Sequence, residues 1–157
     1  MKRLPSPLWM VLAALIAIAS TAVLAQTSSG APTPSAGVVF IDKAKVADAF
    51  AKGGTLASAS DLIVLGAHRA AKGQVEVHDK ETDVIYVIDG AATFVTGGKM
   101  EGGKVSRPNQ WIGNSIAGGE AHQLTKGDMI IVPAGTPHWF KDVSPQISYY
   151  VVKVVKP

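Results

Sequence analysis

The chain predicts an all-β protein, a barrel of roughly six to eight antiparallel strands over residues 56–155 with one short helix outside it. Two observations lead there. The first is a succession of short apolar runs rich in β-branched and aromatic residues, such as Val84-Ile85-Tyr86-Val87-Ile88, Met129-Ile130-Ile131-Val132 and Tyr149-Tyr150-Val151-Val152. Such residues fit a pleated, half-buried surface. The second is what separates the runs: Asp89-Gly90, Lys126-Gly127-Asp128 and Pro133-Ala134-Gly135 are turn chemistry. Helical spacing of apolar residues appears at 43–52, where Val46, Ala49 and Phe50 form one stripe.

At 157 residues there is room for one domain with a real core. Its amino end reads as separate. Lys2 and Arg3 precede an uncharged apolar stretch at 8–24, and Val23-Leu24-Ala25 is a small-residue cleavage site. Residues 1–25 are therefore expected to be a secretory signal peptide, with an uncleaved membrane anchor as the alternative. Residues 26–37, rich in Ser, Thr, Pro, Ala and Gly, read as a flexible linker to a single domain at 38–157. The expected location is periplasmic or secreted, with no membrane contact after signal removal. Cysteine is absent, so neither disulfides nor a lipid-modified cysteine is available. Lys2 and Arg3 supply two of the three units of net positive charge. The remainder is nearly balanced and has no basic run, which excludes a nucleic-acid partner.

In chain order, residues 38–41 predict a short strand. Asp42 caps the helix at 43–52, and Gly53-Gly54 ends it. Residues 56–70 predict one strand, with Gly66 as a bulge; His68, near its end, reads as structural. Residues 74–78 and 83–88 are expected to pair with each other, and Asp89-Gly90 to turn the chain into a hairpin with 91–95. Residues 97–119 contain three Gly-Gly pairs together with Pro108, Trp111 and Ile112. They read as a long loop, either a hydrophobic plug or a lid in which Arg107 or Asn114 contacts a ligand. Residues 121–125 and 129–132 are strands, the second buried. In 147–155, Tyr149, Val151 and Val155 share one face and Tyr150, Val152 and Val154 the other. Apolar residues on both faces predict burial on both sides and leave room for a homodimer interface.

The chemistry concentrates in two segments. In the first, Glu76 and His78 share a strand face, and Asp83 opens the next apolar run. In the second, Gly127 begins a strand that Pro133 stops, and Gly135 and Pro137 shape the turn into His138. Two imidazoles and two carboxylates on neighbouring strands suit a divalent metal. These segments resemble the cupin family, over about residues 56–155. The family's first motif is His-x-His, three or four residues, Glu, six residues, Gly; here it reads Glu76-x-His78, four residues, Asp83, six residues, Gly90. Its second is Gly, five residues, Pro-x-Gly, two residues, His, three residues, Asn; here it reads Gly127, five residues, Pro133-x-Gly135, two residues, His138, three residues, Asp142. Glu76, Asp83 and Asp142 depart from the family's His, Glu and Asn, and Ala70 stands where a glycine is expected.

The resemblance implies a double-stranded β-helix, a jelly-roll-like barrel, holding a divalent metal (Mn, Fe or Zn) on Glu76, His78, Asp83 and His138. Glu76 has a second reading, as a catalytic general base beside the metal. His122, Trp111 and Phe140 are candidate substrate contacts. Two histidines and two carboxylates would leave a site holding a 2+ ion neutral, which argues against small dianionic substrates. Two functions remain open: a metal-dependent enzyme of dioxygenase, isomerase or lyase type acting on a small polar molecule, or a non-catalytic cupin of the cell envelope that binds a small ligand or sugar.

Overall fold

The computed structural model describes residues 37–157. The expected leader at 1–25 and the linker up to residue 36 lie outside the described residues. Helix α1, Lys43–Lys52, forms as expected: Asp42 Oδ1 accepts hydrogen bonds from the backbone N–H groups of Ala44 (2.8 Å) and Lys45 (3.1 Å). Gly53 ends it with φ 77°, a conformation that glycine adopts without a Cβ penalty. Among the described residues no helix is long and apolar enough to cross a membrane.

The rest is β-structure. The strands are β1 Gly54–Ser58, β2 Leu62–Arg69, β3 Val75–His78, β4 Glu81–Thr96, β5 Lys99–Glu101, β6 Lys104–Arg107, β7 Gln110–Gly113, β8 Ser115–Ala117, β9 Glu120–Thr125, β10 Met129–Val132 and β11 His138–Val155. Nine of them join one sheet, and β5 and β8 pair separately. The path β1-β2-β11-β3-β7-β6 meets a second branch where β4 pairs with β9, β10 and β11. All pairings are antiparallel. The core lies between the branches, built on Ile85, Val87, Phe94, Leu124, Phe140, Ile147, Tyr149 and Val151.

Several local expectations are corrected. Residues 38–41 form no strand, and Val38, Val39 and Phe40 are exposed because no neighbouring strand accepts their backbone. Residues 56–70 are a hairpin rather than one strand: Ala59 N–H bonds Leu62 C=O at 2.7 Å, closing a turn written by Ser58-Ala59-Ser60-Asp61. Gly66 is no bulge. It lies beneath α1, where a Cβ would stand 2.7 Å from the Ala49 Cβ.

Strand β3 pairs with β7 and, at Glu76, with β11, not with residues 83–88. Asp89-Gly90 makes no hairpin. The chain continues through it as the sixteen-residue β4, and Gly90, at φ 83°, sits at a register shift opposite β11. Residues 97–119 are not a loop: they fold into β5 to β8, and all four residues of β7 are in register with β3. Strand β10 is buried only in part, since Met129 and Ile131 are exposed and Val132 is buried. The outer face of β11 is likewise half covered: Tyr150 meets Phe50 edge-on at 4.4 Å, whereas Val154 is exposed.

The contact between α1 and Gly66 yields a prediction. Gly66→Ala should destabilise the domain by roughly 1–3 kcal/mol, because a methyl group must displace the Ala49 backbone. Gly54→Ala, which meets nothing within 4 Å, is expected to leave the thermal midpoint nearly unchanged.

Candidate metal centre

Strand alternation and pairing bring the four ligand candidates together. Glu76 and His78 lie two apart on β3, His138 opens β11 directly opposite Glu76, and Asp83 is the third residue of β4. His78 Nε2 lies 3.4 Å from Glu76 Oε2 and 3.5 Å from Asp83 Oδ2, and His138 Nε2 lies 3.7 Å from the same Asp83 oxygen. These separations are too long for good hydrogen bonds. They are near the spacing, about 3.4 Å, of two ligand atoms each roughly 2.1 Å from one tetrahedral ion; ligand atoms of Glu76, His78 and His138 lie within 4.8 Å of one another, and Asp83 forms a second such group with His78 and Glu81.

The imidazoles are prepared in different ways. His138 Nδ1 donates to Thr136 C=O at 3.0 Å, so its Nε2 carries the lone pair and faces the cluster. His78 is almost wholly buried, and neither of its ring nitrogens has a hydrogen-bond partner. A buried polar atom left bare is costly, and a cation is a partner that would satisfy it. The donor set therefore fits a divalent metal.

A second layer of charge surrounds the first. Lys153, directly opposite Asp83 in the β4–β11 ladder, places Nζ 2.8 Å from Asp83 Oδ1, 3.0 Å from Oδ2 and 2.9 Å from Glu81 Oε2. Asp83 is thus shared, with Oδ1 nearest the lysine and Oδ2 turned to both imidazoles. Glu81 also accepts from Arg107 Nη2 at 3.3 Å and approaches His78 Nδ1 at 3.5 Å.

Lys153, Glu81 and Arg69 were not singled out from the sequence. Period-2 alternation offered a signal for two of them: Glu81 shares the inward face of Asp83 and Ile85, and Lys153 that of Tyr149 and Val151. Before any metal is added, the carboxylates of Glu76, Asp83 and Glu81 are matched by Lys153, Arg69 and Arg107. If the candidate ligands held a 2+ ion, the neutral count of two histidines and two carboxylates would gain, with these neighbours included, an excess of positive charge.

Burial by itself would raise the Glu76 carboxyl, but the His78 ring beside it, with the nearby His138 and Arg69, outweighs burial and holds it at about 2. Burial also opposes ionisation of Glu81, where Lys153 prevails and lowers it. Burial pushes His138 below its usual value, so the ring stays neutral, as metal binding requires.

The remaining candidates separate. Phe140 is buried between Phe94 and Tyr149, with ring centroids at 4.6 and 4.8 Å, and lines a cleft of about 170 Å³ beside the cluster. Glu76, Asp83, His138, Arg69, Tyr149 and Lys153 also line it. His122 is on the Phe94 side of β9 but engages the Thr96 hydroxyl at 2.9 Å and lies outside the cleft lining. Trp111 is 40% exposed and is likewise absent from the lining. It is in register with Val77, so it points away from the face that carries Glu76, and its indole donates to Asp79 at 3.2 Å. Arg107 is engaged by Glu81 rather than by a lid contact. Asp142, at the family's Asn position, is exposed.

Two outcomes follow. Lys153→Met should cost on the order of 3–5 kcal/mol in chemical denaturation, since it strips the counter-charge from two buried carboxylates; added divalent metal should recover part of the loss. In metal-free protein, stability should fall as pH drops below the usual histidine value of 6.5, because unfolded His138 takes up a proton that the folded ring resists. His138→Asn should flatten that slope in thermal melts recorded across the range.

A family model described as Cupin matches residues 58–157. No curated protein matches. Among solved structures, the chain is similar to BH2720 from Bacillus halodurans, with a TM-score of 0.54 and 15% identity over 80% of this chain and 84% of that one. It also resembles KdgF from a Halomonas species, with a TM-score of 0.45 and 20% identity over 67% and 80% of the two chains. A third similarity is to the DMSP lyase DddQ from Ruegeria pomeroyi, with a TM-score of 0.48 and 14% identity over 65% of this chain and only 45% of the lyase. At these identities the likeness concerns the fold. With the family model matching residues 58–157 and the strands curling as a jelly-roll-like double-stranded β-helix, the chain belongs to the cupin family.

Proposed function

We propose that this protein is an exported cupin that holds a divalent metal on His78, His138, Glu76 and Asp83 and acts on a small polar molecule as a metal-dependent enzyme. The observation that carries the reading is His78, a buried imidazole with two partnerless nitrogens, beside the free Nε2 of His138. In a purely structural polar cluster both rings would be expected to have hydrogen-bond partners.

A bound divalent cation supplies Lewis acidity and an acidified water. The chain's own residues provide the rest. Thr136 C=O holds the His138 tautomer, and Lys153 orients the Asp83 carboxylate. The cleft walls of Leu65, Ile85 and Val151 exclude water from one side. Of the two readings of Glu76, the depressed carboxyl favours the ligand: a group ionised down to about 2 is a weak proton acceptor near neutral pH.

Metal analysis of purified protein tests the reading. His78→Ala and His138→Ala should each lose most of the bound metal, and Glu76→Gln should weaken binding by about tenfold or more. Full metal content in both histidine variants would defeat the proposal, as would metal-free wild type after reconstitution. Export is read separately, by intact mass of protein recovered outside the cytoplasm. The expected chain starts at or near Gln26, and retention of residues 1–25 contradicts cleavage.

A further inference from the structure

Building on the metal-centre reading, we propose that the ligand of the adjoining cleft is a small organic carboxylate, and that Arg69 is the residue that receives its carboxylate group. Arg69 is the last residue of β2, and its guanidinium lies 5.0 Å from the centre of the Phe140 ring. Its Nε donates to the Tyr149 hydroxyl at 2.7 Å, which fixes the plane of the group. Its Nη2 is 3.8 Å from Glu76 Oε1, an ionic approach beyond hydrogen-bond length. Among the described residues, the terminal nitrogens have no hydrogen-bond acceptor.

The cleft has two cations in its lining, and they differ in what they have left to give. Lys153 spends its ammonium on Asp83 and Glu81. Arg69 is held by its Nε, and its terminal fork, though Nη2 faces Glu76 Oε1 at 3.8 Å, makes no hydrogen bond among the described residues. A planar fork of parallel N–H groups matches a carboxylate in a two-point contact. The Tyr149 hydroxyl accepts from Arg69 and retains its own proton to donate, and burial keeps that proton in place. Beside this polar corner, along the same strands, Leu65, Ile85 and Val151 offer an apolar wall, and the volume of about 170 Å³ suits a ligand of only a few carbon atoms.

Gly73 shows that space is reserved for the fork. A Cβ there would come within 2.8 Å of Arg69 Nη1. The Gly73 backbone is otherwise fixed, its N–H donating to Phe140 C=O at 2.9 Å and its C=O accepting from the Trp139 indole at 2.8 Å. Gly73→Ala would therefore push the guanidinium aside without removing its charge.

The test compares propanoate with propanamide, which share shape and differ in charge, by calorimetry and Trp139 fluorescence on Mn(II)-loaded and chelator-treated protein. Propanoate should bind at least about tenfold more tightly than propanamide in both forms. Arg69→Gln should bring the ratio close to one, Arg69→Lys should keep part of it, and Gly73→Ala should reduce it. If Arg69→Gln does not fold by circular dichroism, Gly73→Ala decides on the same criterion. Equal binding of the two probes, no binding of either, or a preference that survives Arg69→Gln overturns the proposal; survival only in the metal-loaded form would mean that the carboxylate sits on the metal instead. A preference lost with Arg69 but present after chelation supports it even if the metal reading fails. Metal binding with no preference leaves the metal reading standing and sinks this one.

Discussion

The structure depends on the antiparallel ladder between β4 and β11. These two strands run alongside each other almost from end to end, and they place Lys153 opposite Asp83 and Thr96 opposite His138. A slip of one residue would turn every inward side chain outward, because side chains alternate with a period of two. It would move Lys153 to the surface and leave Asp83 buried without a counter-charge. The register is thus held jointly by the apolar set of Ile85, Val87, Tyr149 and Val151 and by the buried ion pair at one end of it. The bulges along the ladder, one of them at Gly90, let two such long strands bend around the core.

That ladder also sets the electrostatics of the site. Three carboxylates and two imidazoles converge in a small buried volume, a combination that is unstable without cations. Lys153 neutralises the floor, and Arg107 reaches Glu81 from the side. His78 alone is left with two bare nitrogens. Lys153 holds both Asp83 oxygens, Oδ1 at 2.8 Å and Oδ2 at 3.0 Å, and Oδ2 also faces the two histidines.

The cleft is lined from β2, β3, β4 and β11, and its polar wall is continuous with the candidate metal centre. Glu76 belongs to both, facing His78 on one side and Arg69 on the other. A group bound at Arg69 would therefore alter the field felt by Glu76. This coupling arises from β2, β3 and β11 meeting at one corner, and no single segment of the chain contains it.

What the sequence by itself determined was local. The helix and its Asp42 cap, the turn through Gly127 and the turn through Pro133 and Gly135 into His138 are written in residues within a few positions of one another. The spacing of Glu76, His78, Asp83 and His138 was legible for the same reason, since strand alternation is a local rule. Asp89-Gly90 shows where local rules stop. A glycine at positive φ serves a tight hairpin and a bulge equally well, and only the match of β4 with fourteen residues of β11 selects the bulge. The sequence could not say that β3 pairs with β7 and β11, nor that residues 97–119 are four short strands, because those pairings join distant segments. Lys153, Glu81 and Arg69 belong to the same class. Each looks like an ordinary surface charge in the chain, and each becomes part of the site only when the tertiary structure sets it beside Asp83, His78 or Tyr149.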